Sequence, residues 1–357
     1  MFDSMSIHNF RCFDDFSIGS LGRVNLIAGA NNVGKTALLE AIFLLLGVTN
    51  ASLVATISVF RGIGEFKGDL TSVRGLLWSP LFPKFDSQAK IQISGSLSMG
   101  GQCNLELQLV PGTSARLALG EELAAEIGPG ANGLPGLVMQ LRYTDPSGET
   151  RSAEMWMDKK GVHIEPAPSQ PPCPGFFLPA RHRPSLQEDA ERFGQLEVME
   201  EPYDLLETLK ITEPRLKRLA TIFSAGMPII YGDIGLGRML PLPLMGDGLG
   251  RLASLLLVIA SAPHGVVLVD EIENGLHHSV LTKVWQAVGD AARRFDTQVF
   301  ATTHSFEAIQ AAQQAFGSGE SHDFRLHRLE NVAGKIKAFT YDQETLAAAM
   351  KVDMEVR

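Results

Sequence analysis

Residues of a type and spacing that bind phosphate lie near the N-terminus. They follow the pattern G-x-x-x-x-G-K-T over Gly29, Ala30, Asn31, Asn32, Val33, Gly34, Lys35 and Thr36. In such a loop the backbone N–H groups wrap the phosphates, and the helix that follows adds partial positive charge. We expect Lys35 to reach the β- and γ-phosphates and the Thr36 hydroxyl to ligate Mg²⁺. A chance glycine turn is disfavoured, because a buried-strand pattern precedes the loop and a helical pattern follows it.

Two adjacent acidic residues follow a second buried-strand pattern. Val266–Val269 is wholly apolar and leads directly into Asp270 and Glu271. A parallel strand would deliver Asp270 beside the phosphate-binding loop, where it can hold Mg²⁺ through water. Glu271 would then polarise the attacking water. The alternative, a strand followed by ordinary helix-capping acids, is disfavoured by the presence of the loop.

Two weaker signals surround this pair. His304, in the run ATTHS, ends the next predicted strand, where it can sense a γ-phosphate and position water. A lone histidine is more often structural, so its place at a strand end carries the argument. Gly246 and Gly248 precede a predicted helix, and paired glycines there can form a phosphate-binding surface. A plain turn at these glycines is the alternative.

The surrounding pattern indicates which elements position these residues. Buried or alternating runs predict strands over 5–10, 16–18, 24–28, 266–269 and 298–302, and helices after Lys35, Gly250, Val280 and Ser305. We expect an antiparallel sheet within 52–168, a proline-rich boundary at 166–174, and a polar tail at the end. Leucine and isoleucine spacing predicts a short helical arm over 185–225. The predicted division is an N-terminal lobe of the head (1–170), the arm, and a C-terminal lobe (226–357).

Composition bounds the class of protein. The chain has 357 residues, 45% of them hydrophobic and 20% charged, which excludes a disordered chain. A formal net charge of −9 argues against a generally basic nucleic-acid coat, although local basic clusters leave room for a DNA- or RNA-contacting face. Three cysteines without a C-x-x-C pair, no signal-peptide pattern and no apolar run of about 18 residues together predict a cytoplasmic protein outside the membrane.

The ordered set of motifs resembles the ATP-binding-cassette (ABC) superfamily, and within it the RecF/SMC-like ATPases and the ATPase module of the OLD family. The resemblance covers about 5–49 and 240 onward. It implies an α/β P-loop NTPase fold of the ABC head type, AAA-family ATP hydrolysis to ADP and phosphate, and ATP and Mg²⁺ as cofactors. It also implies a homodimer or higher oligomer in which two heads sandwich two ATPs. In that dimer Gly246 and Gly248 of one head would face the γ-phosphate on the other.

The resemblance also bears on the D-loop, the signature and the Q-loop. It implies a D-loop at Asn274-Gly275-Leu276-His277, with His277 in place of the usual Asp. Gly246 stands where many relatives have a signature Ser. The Q-loop glutamine is not assigned, and the candidates are Gln88, Gln92, Gln102, Gln108 and Gln140.

Three functions compete at this point. The first is an ATPase subunit that controls a separate effector, by resemblance a Toprim-like nuclease or toxin in an anti-phage system. Only 53 residues follow His304, too few for a Toprim domain on the same chain. The second is a RecF-like DNA clamp in repair or recombination. The third, a transporter's nucleotide-binding subunit, is disfavoured by the absent signature Ser.

Overall fold

Two β-sheets enclose the helix that follows the phosphate-binding loop. The computed structural model describes residues 1–63, 70–111, 137–158, 161–168, 170–181, 185–198, 205–317 and 323–351. Helix α1 (Lys35–Leu46) is apolar on nearly every face, because it packs against a mainly parallel sheet on one side and an antiparallel sheet on the other. Within these ranges no helix is long and apolar enough to cross a membrane.

The mainly parallel sheet carries the motifs. Its strand order is β16-β15-β3-β14-β13-β9, and only the edge strand β16 is antiparallel. The strands are β3 (Val24–Gly29), β9 (Gly175–Leu178), β13 (Val266–Val269), β14 (Gln298–Thr302), β15 (Phe324–Val332) and β16 (Lys335–Tyr341). Strand β14 therefore lies between the strand that enters the phosphate-binding loop and the strand that leads into Asp270.

Alternate residues of these strands face two separate cores. In β13, Val266 and Leu268 pack toward α1, whereas Val267 and Val269 pack toward the opposite helices. A strand covered on both faces must be apolar throughout, which explains why these segments lack a polar alternation. The opposite layer consists of α6 (Asp247–Ala260), α7 (Leu281–Arg294), α8 (Phe306–Phe316) and α9 (Gln343–Lys351).

The antiparallel sheet has the order β2-β1-β4-β5-β6-β7-β8. Its strands are β1 (Phe2–Phe10), β2 (Phe13–Ile18), β4 (Ile91–Leu97), β5 (Gln102–Pro111), β6 (Leu137–Thr144), β7 (Thr150–Asp158) and β8 (Gly161–Glu165). The expectation of sheet from residue 52 is wrong at its start, where α2 (Ser52–Phe60) and α3 (Leu70–Trp78) are helices. The β-branched residues of α2 suggested a strand, but its buried Val54, Ile57 and Ser58 have helical spacing.

The predicted arm is only partly helical. Helices α4 (Leu186–Val198) and α5 (Leu205–Leu209) are present, and 199–204 lie outside the described residues. The helix expected through Leu216, Leu219, Ile222 and Phe223 is wrong: β10 (Arg218–Ser224) pairs with β11 (Met227–Asp233), which pairs with β12 (Leu240–Pro241). Ala225 and Gly226 both have positive φ, as a two-residue hairpin turn requires, and this turn reverses the chain. The three-part division of the chain remains a prediction.

The predicted polar tail is wrong over 324–341, which form two strands. Strand β15 lies beside β3, and β16 pairs with β15 before α9 closes the described chain. Phe324 and Leu326 pack into one core and Leu329 into the other, so β15 is covered on both faces despite its polar residues.

Candidate nucleotide-binding site

The phosphate-binding loop connects β3 to α1 through two glycines in the left-handed region. Gly29 has φ +143°, and a Cβ there would lie 2.5 Å from the Leu329 carbonyl oxygen. Gly34 has φ +100° and caps α1, and a Cβ there would lie 2.7 Å from Cys12 Sγ. Both positions therefore require glycine, since a side chain would meet both backbone strain and a close neighbour.

Lys35 opens α1 and turns back toward its own loop. Its Nζ donates to the carbonyl oxygens of Gly29 at 2.7 Å and Ala30 at 3.0 Å. Burial lowers the pKa of Lys35, while the carboxylates of Asp270 and Glu271 oppose that shift. The ammonium group of Lys35 therefore lies inside the loop, bonded only to neutral carbonyl oxygens. A phosphate oxygen is a stronger acceptor for it, because the bond would then join two charged groups.

Asp270 is the centre of a hydrogen-bonded group at the carboxyl edge of the parallel sheet. The Thr36 hydroxyl lies 3.1 Å from both carboxylate oxygens, and the buried Thr302 hydroxyl donates to Oδ1 at 2.6 Å. Burial raises the pKa of Asp270, and the bonds from Thr302 and Thr36 act in the opposite direction. Thr302 of β14 and Thr36 of α1 therefore fix the carboxylate of Asp270, which directly follows β13.

These oxygen donors suit magnesium. Mg²⁺ prefers oxygen ligands and is commonly held by one or two protein groups plus phosphate oxygens and water. Thr36 and Asp270 supply a hydroxyl and a carboxylate side by side at the mouth of the phosphate-binding loop. Among the described residues no group of three or more His, Cys, Asp or Glu side chains converges on a metal site.

Glu271 has a backbone conformation that few glutamates adopt. Its φ is +50°, its N–H donates to Thr302 Oγ1 at 2.8 Å, and Asn274 Nδ2 donates to its Oε2 at 2.6 Å. Arg251 from α6 donates to the carbonyl oxygens of Asp270 and Glu271 at 2.7 and 2.8 Å. The surroundings thus determine where the half-buried carboxylate lies.

His304 is positioned by a second glutamate, Glu273. Glu273 Oε1 accepts from the Thr303 hydroxyl at 2.8 Å and the His304 N–H at 3.0 Å, and it lies 3.3 Å from His304 Nδ1. His304 Nδ1 is also 4.0 Å from Glu271 Oε1. The His304 side chain is half exposed, so the imidazole is accessible while its Nδ1 lies beside Glu273.

The phosphate-binding loop and the two acids after β13 border one cleft of about 750 Å³, and Thr302, Glu273 and His304 lie behind its lining. Its lining includes the loop residues Asn31, Asn32, Gly34, Lys35 and Thr36, the acids Asp270 and Glu271, and three arginines, Arg11, Arg61 and Arg181. The volume and the mixture of cations and acids fit a nucleoside triphosphate with its metal ion.

Comparisons with known proteins agree with this geometry. Residues 161–309 match the family model described as "AAA domain, putative AbiEii toxin, Type IV TA system", and residues 4–75 match a second AAA-domain model. A Helicobacter pylori protein named ATP/GTP phosphatase is 24% identical over 375 residues, covering 97% of each chain.

Solved structures show the same fold at low sequence identity. An SMC head bound to the C-winged helix domain of ScpA matches with a TM-score of 0.54 and 14% identity, covering 98% of this chain and 99% of that one. A Pyrococcus furiosus SMC head with an extended coiled coil, bound to the C-terminal domain of ScpA, matches with a TM-score of 0.50 and 12% identity, covering 98% of each. The chain thus has the fold of an SMC ATPase head and matches two AAA-domain models, and these findings together support an ATPase. The expected fold class is confirmed.

The two glycines expected to form the signature lie apart from the cleft. Gly246 has φ +120° and caps α6, where it borders a separate cavity of about 330 Å³. Gly248 packs against the expected D-loop, since a Cβ there would lie 2.5 Å from the Gly275 carbonyl oxygen. The structure therefore groups Lys35, Thr36, Asp270, Glu271 and His304 at one sheet edge, and places Gly246 and Gly248 beside Gly275 instead.

Strand order also identifies residues that sequence reasoning missed. Gln92, Gln102, Gln108 and Gln140 lie on the antiparallel sheet. The strand that flanks β13 is β9, which is followed by Pro179, Ala180 and Arg181, so an arginine stands near the cleft where a Q-loop glutamine was sought. Thr302 and Glu273 were also unassigned. Their position within the ATTHS and DEIENG runs was the available signal.

Proposed function

We propose that this ATPase closes around ATP as a homodimer, hydrolyses it with Mg²⁺, and thereby controls a separate effector protein. The observation that carries the catalytic part is the hydrogen-bonded group of Thr36, Asp270, Thr302 and Glu271 beside Lys35. In it, Lys35 neutralises phosphate charge, Thr36 and Asp270 hold the metal ion, Glu271 polarises the attacking water, and His304 senses the γ-phosphate.

The position of the glycine-rich helix start supports the dimer. Gly246 and Gly248 lie outside the lining of their own chain's cleft, next to the expected D-loop. Backbone N–H groups at the start of α6 form an anion-binding surface. A second copy related by a two-fold axis would bring this surface to the first copy's nucleotide, and each copy would do the same for the other.

The effector part rests on relatives. The description of one matching family model names a toxin of a type IV toxin–antitoxin system. The two SMC heads were solved with a bound ScpA domain. These names support a head whose nucleotide state is communicated to another protein. We propose a Toprim-like nuclease or a toxin, in an anti-phage system, as that protein.

Hydrolysis by the wild type and two variants tests the catalytic part. Lys35→Ala should abolish tight ATP binding and hydrolysis. Lys283→Ala, an exposed lysine on α7, is the matched control and should leave both unchanged. Hydrolysis that persists in Lys35→Ala would refute the assigned site.

Glu271→Gln tests the dimer. This variant should bind ATP without hydrolysing it and accumulate as a dimer by light scattering. A monomer at saturating ATP would contradict the sandwich. Repeating the hydrolysis assay with linear double-stranded DNA distinguishes the RecF-like clamp, because strong stimulation would make DNA, rather than a protein effector, the direct ligand.

A further inference from the structure

Strand β10 has a hydrogen-bonded neighbour on one side only. It is the edge of the three-stranded sheet, and among the described strands only β11 pairs with it. Residues 219–224 contain no charged residue and no proline. Three large apolar residues near the end of the hairpin, Ile222, Phe223 and Met227, are exposed, and Phe223 is 75% exposed. An open, uncharged edge with exposed apolar side chains favours pairing with another strand.

The other described edge strands have features that oppose such pairing. Charges, prolines and short length protect an edge, because an incoming strand would then bury a charge or lose hydrogen bonds. Each of these strands has one such feature: β2 has Asp14 and Asp15, β8 ends at Glu165 before Pro166, β9 has four residues, β12 ends at Pro241, and β16 has Lys335 and Lys337. Among the described edges, β10 is therefore the one without this protection.

The hairpin turn determines which backbone groups of β10 face its open side. Ser224 and Met227 flank the two-residue turn, and in a turn of this kind the two flanking residues bond to each other. Along an antiparallel pair, every second residue from there bonds to the partner strand. The N–H and C=O groups of the residues between them, Leu219, Thr221 and Phe223, therefore point away from β11.

The sequence of β10 is complementary to itself in an antiparallel pairing centred on Thr221. In that register each residue would lie opposite one that suits it: Thr221 opposite Thr221, Leu219 opposite Phe223, Ala220 opposite Ile222, and Arg218 opposite Ser224. Apolar side chains would therefore meet, and the one charged residue of the strand would lie opposite a serine rather than another arginine. The same register brings the outward-facing backbone groups of the two strands together as hydrogen-bonded pairs.

The small sheet that contains β10 lies next to the surface that the ATP sandwich would use. Strand β12 pairs with β11, and the segment Leu242–Met245 then packs against β11 and leads directly into Gly246. The contact is close, since a Cβ at Gly232 of β11 would lie 2.8 Å from Met245 Sδ. A second copy that approaches Gly246 is therefore also close to this sheet.

We propose that β10 pairs with β10 of a second copy of this chain, antiparallel and about a two-fold axis at Thr221, so that two three-stranded sheets become one continuous sheet. Both copies use the same strand, as a two-fold interface requires. The pairing itself needs no nucleotide. Only its role rests on the proposed function: it keeps two heads joined between rounds of ATP hydrolysis. Phe223 and Ile222, exposed in the single chain, are covered by the second copy.

Sedimentation velocity without nucleotide tests the pairing. The wild type should be a dimer. Phe223→Pro removes an N–H that faces the open side, so the hairpin keeps its own hydrogen bonds while self-association weakens at least about tenfold. Val162→Pro makes the same change at an exposed residue of the β8 edge and is the matched control, which should remain a dimer. Circular dichroism shows whether each variant folds.

If Phe223→Pro does not fold, Phe223→Lys decides, because it leaves the backbone intact and places a charge opposite Leu219. A dimer as stable as that of the wild type in the folded variant would overturn the inference. A wild type that sediments as a monomer would also overturn it, and would leave the β10 edge to a strand of another protein.

A cysteine at the two-fold axis tests the register. Thr221→Cys should form a disulfide between two copies under mild oxidation, because residues opposite each other in such a pair have Cα atoms about 5.5 Å apart. Arg218→Cys, also exposed on β10, should not, since two copies of residue 218 would lie about 20 Å apart. The wild type, whose Cys12 is exposed, is the blank. Equal cross-linking at both positions would contradict the register.

The double variant Phe223→Pro, Glu271→Gln separates this interface from the ATP sandwich. It should be a monomer without nucleotide and a dimer with ATP. If ATP produces no dimer while the wild type is dimeric without nucleotide, the proposed sandwich fails and the β10 pairing stands.

Discussion

Removing one buried hydroxyl should disable the metal-binding end of the cleft. Thr302 is fully buried on β14; its hydroxyl donates to Asp270 Oδ1 at 2.6 Å and accepts from the Glu271 N–H at 2.8 Å. Thr302→Val keeps the shape of the side chain and removes both bonds. It leaves a carboxylate oxygen short of a donor and a buried N–H without an acceptor.

The expected cost follows from these two bonds. A hydrogen bond to a charged group contributes about 1.5–3 kcal/mol and a neutral one about 1 kcal/mol, so the free energy of unfolding should fall by about 2–4 kcal/mol. The bond from Thr302 also holds down the pKa of Asp270, which burial raises. Without it the carboxylate is protonated at higher pH, and the Mg²⁺ concentration for half-maximal hydrolysis should rise about tenfold at neutral pH.

Urea unfolding followed by circular dichroism measures the first effect, and hydrolysis against Mg²⁺ concentration measures the second. Thr302→Ser keeps the hydroxyl and should retain most of the magnesium response. Thr221→Val removes an exposed hydroxyl on β10 and should change neither quantity. A Thr302→Val protein as stable as the wild type, with the same magnesium requirement, would refute the assignment of Thr302 as the group that holds Asp270.

Three further predictions concern other parts of the site and the core. Glu273→Gln weakens the support behind His304, so kcat should fall about tenfold at nearly constant KM, and a fall in KM alone would contradict this. Gly248→Ala places a Cβ 2.5 Å from a carbonyl oxygen and should cost about 1–3 kcal/mol in urea unfolding, whereas Gly250→Ala, with open space around it, should cost little. Burial lowers the pKa of His327 to about 3, from an ordinary 6.5. The unfolded chain therefore takes up the proton first, and His327 should lower the free energy of unfolding by about 2 kcal/mol between pH 7 and pH 5, a slope that His327→Gln removes.

The residues that carry the predicted chemistry could be found from sequence because each follows a buried strand. The runs before Gly29 and Asp270 are buried throughout and apolar except for Asn25, and parallel strands bring their carboxyl ends to one edge. The hairpin around Ala225 could not be found in this way, because its leucines and isoleucines also fit a helical period. Periodicity over seven residues does not separate the two.

The residues that support the site could not be predicted from the sequence for a different reason. Glu40 meets Arg61 across 21 positions and Thr302 meets Asp270 across 32. A buried glutamate in an apolar helix or a threonine in an apolar strand shows in the sequence only as an exception to the pattern. Which partner satisfies it depends on how separate segments pack, and that information is not local.

The order of strands in the parallel sheet has a consequence for synthesis on the ribosome. The phosphate-binding loop follows β3, but both neighbours of β3, β14 and β15, come from residues 298–302 and 324–332. A nascent chain therefore carries its loop for 262 residues, from Thr36 to Gln298, before β14 begins, and for longer before β15. Contacts of such large sequence separation close slowly and leave apolar strand edges open meanwhile. Nucleotide binding should accordingly begin late in folding, after the last parallel strand is in place, and this ATPase should depend on chaperones during its synthesis.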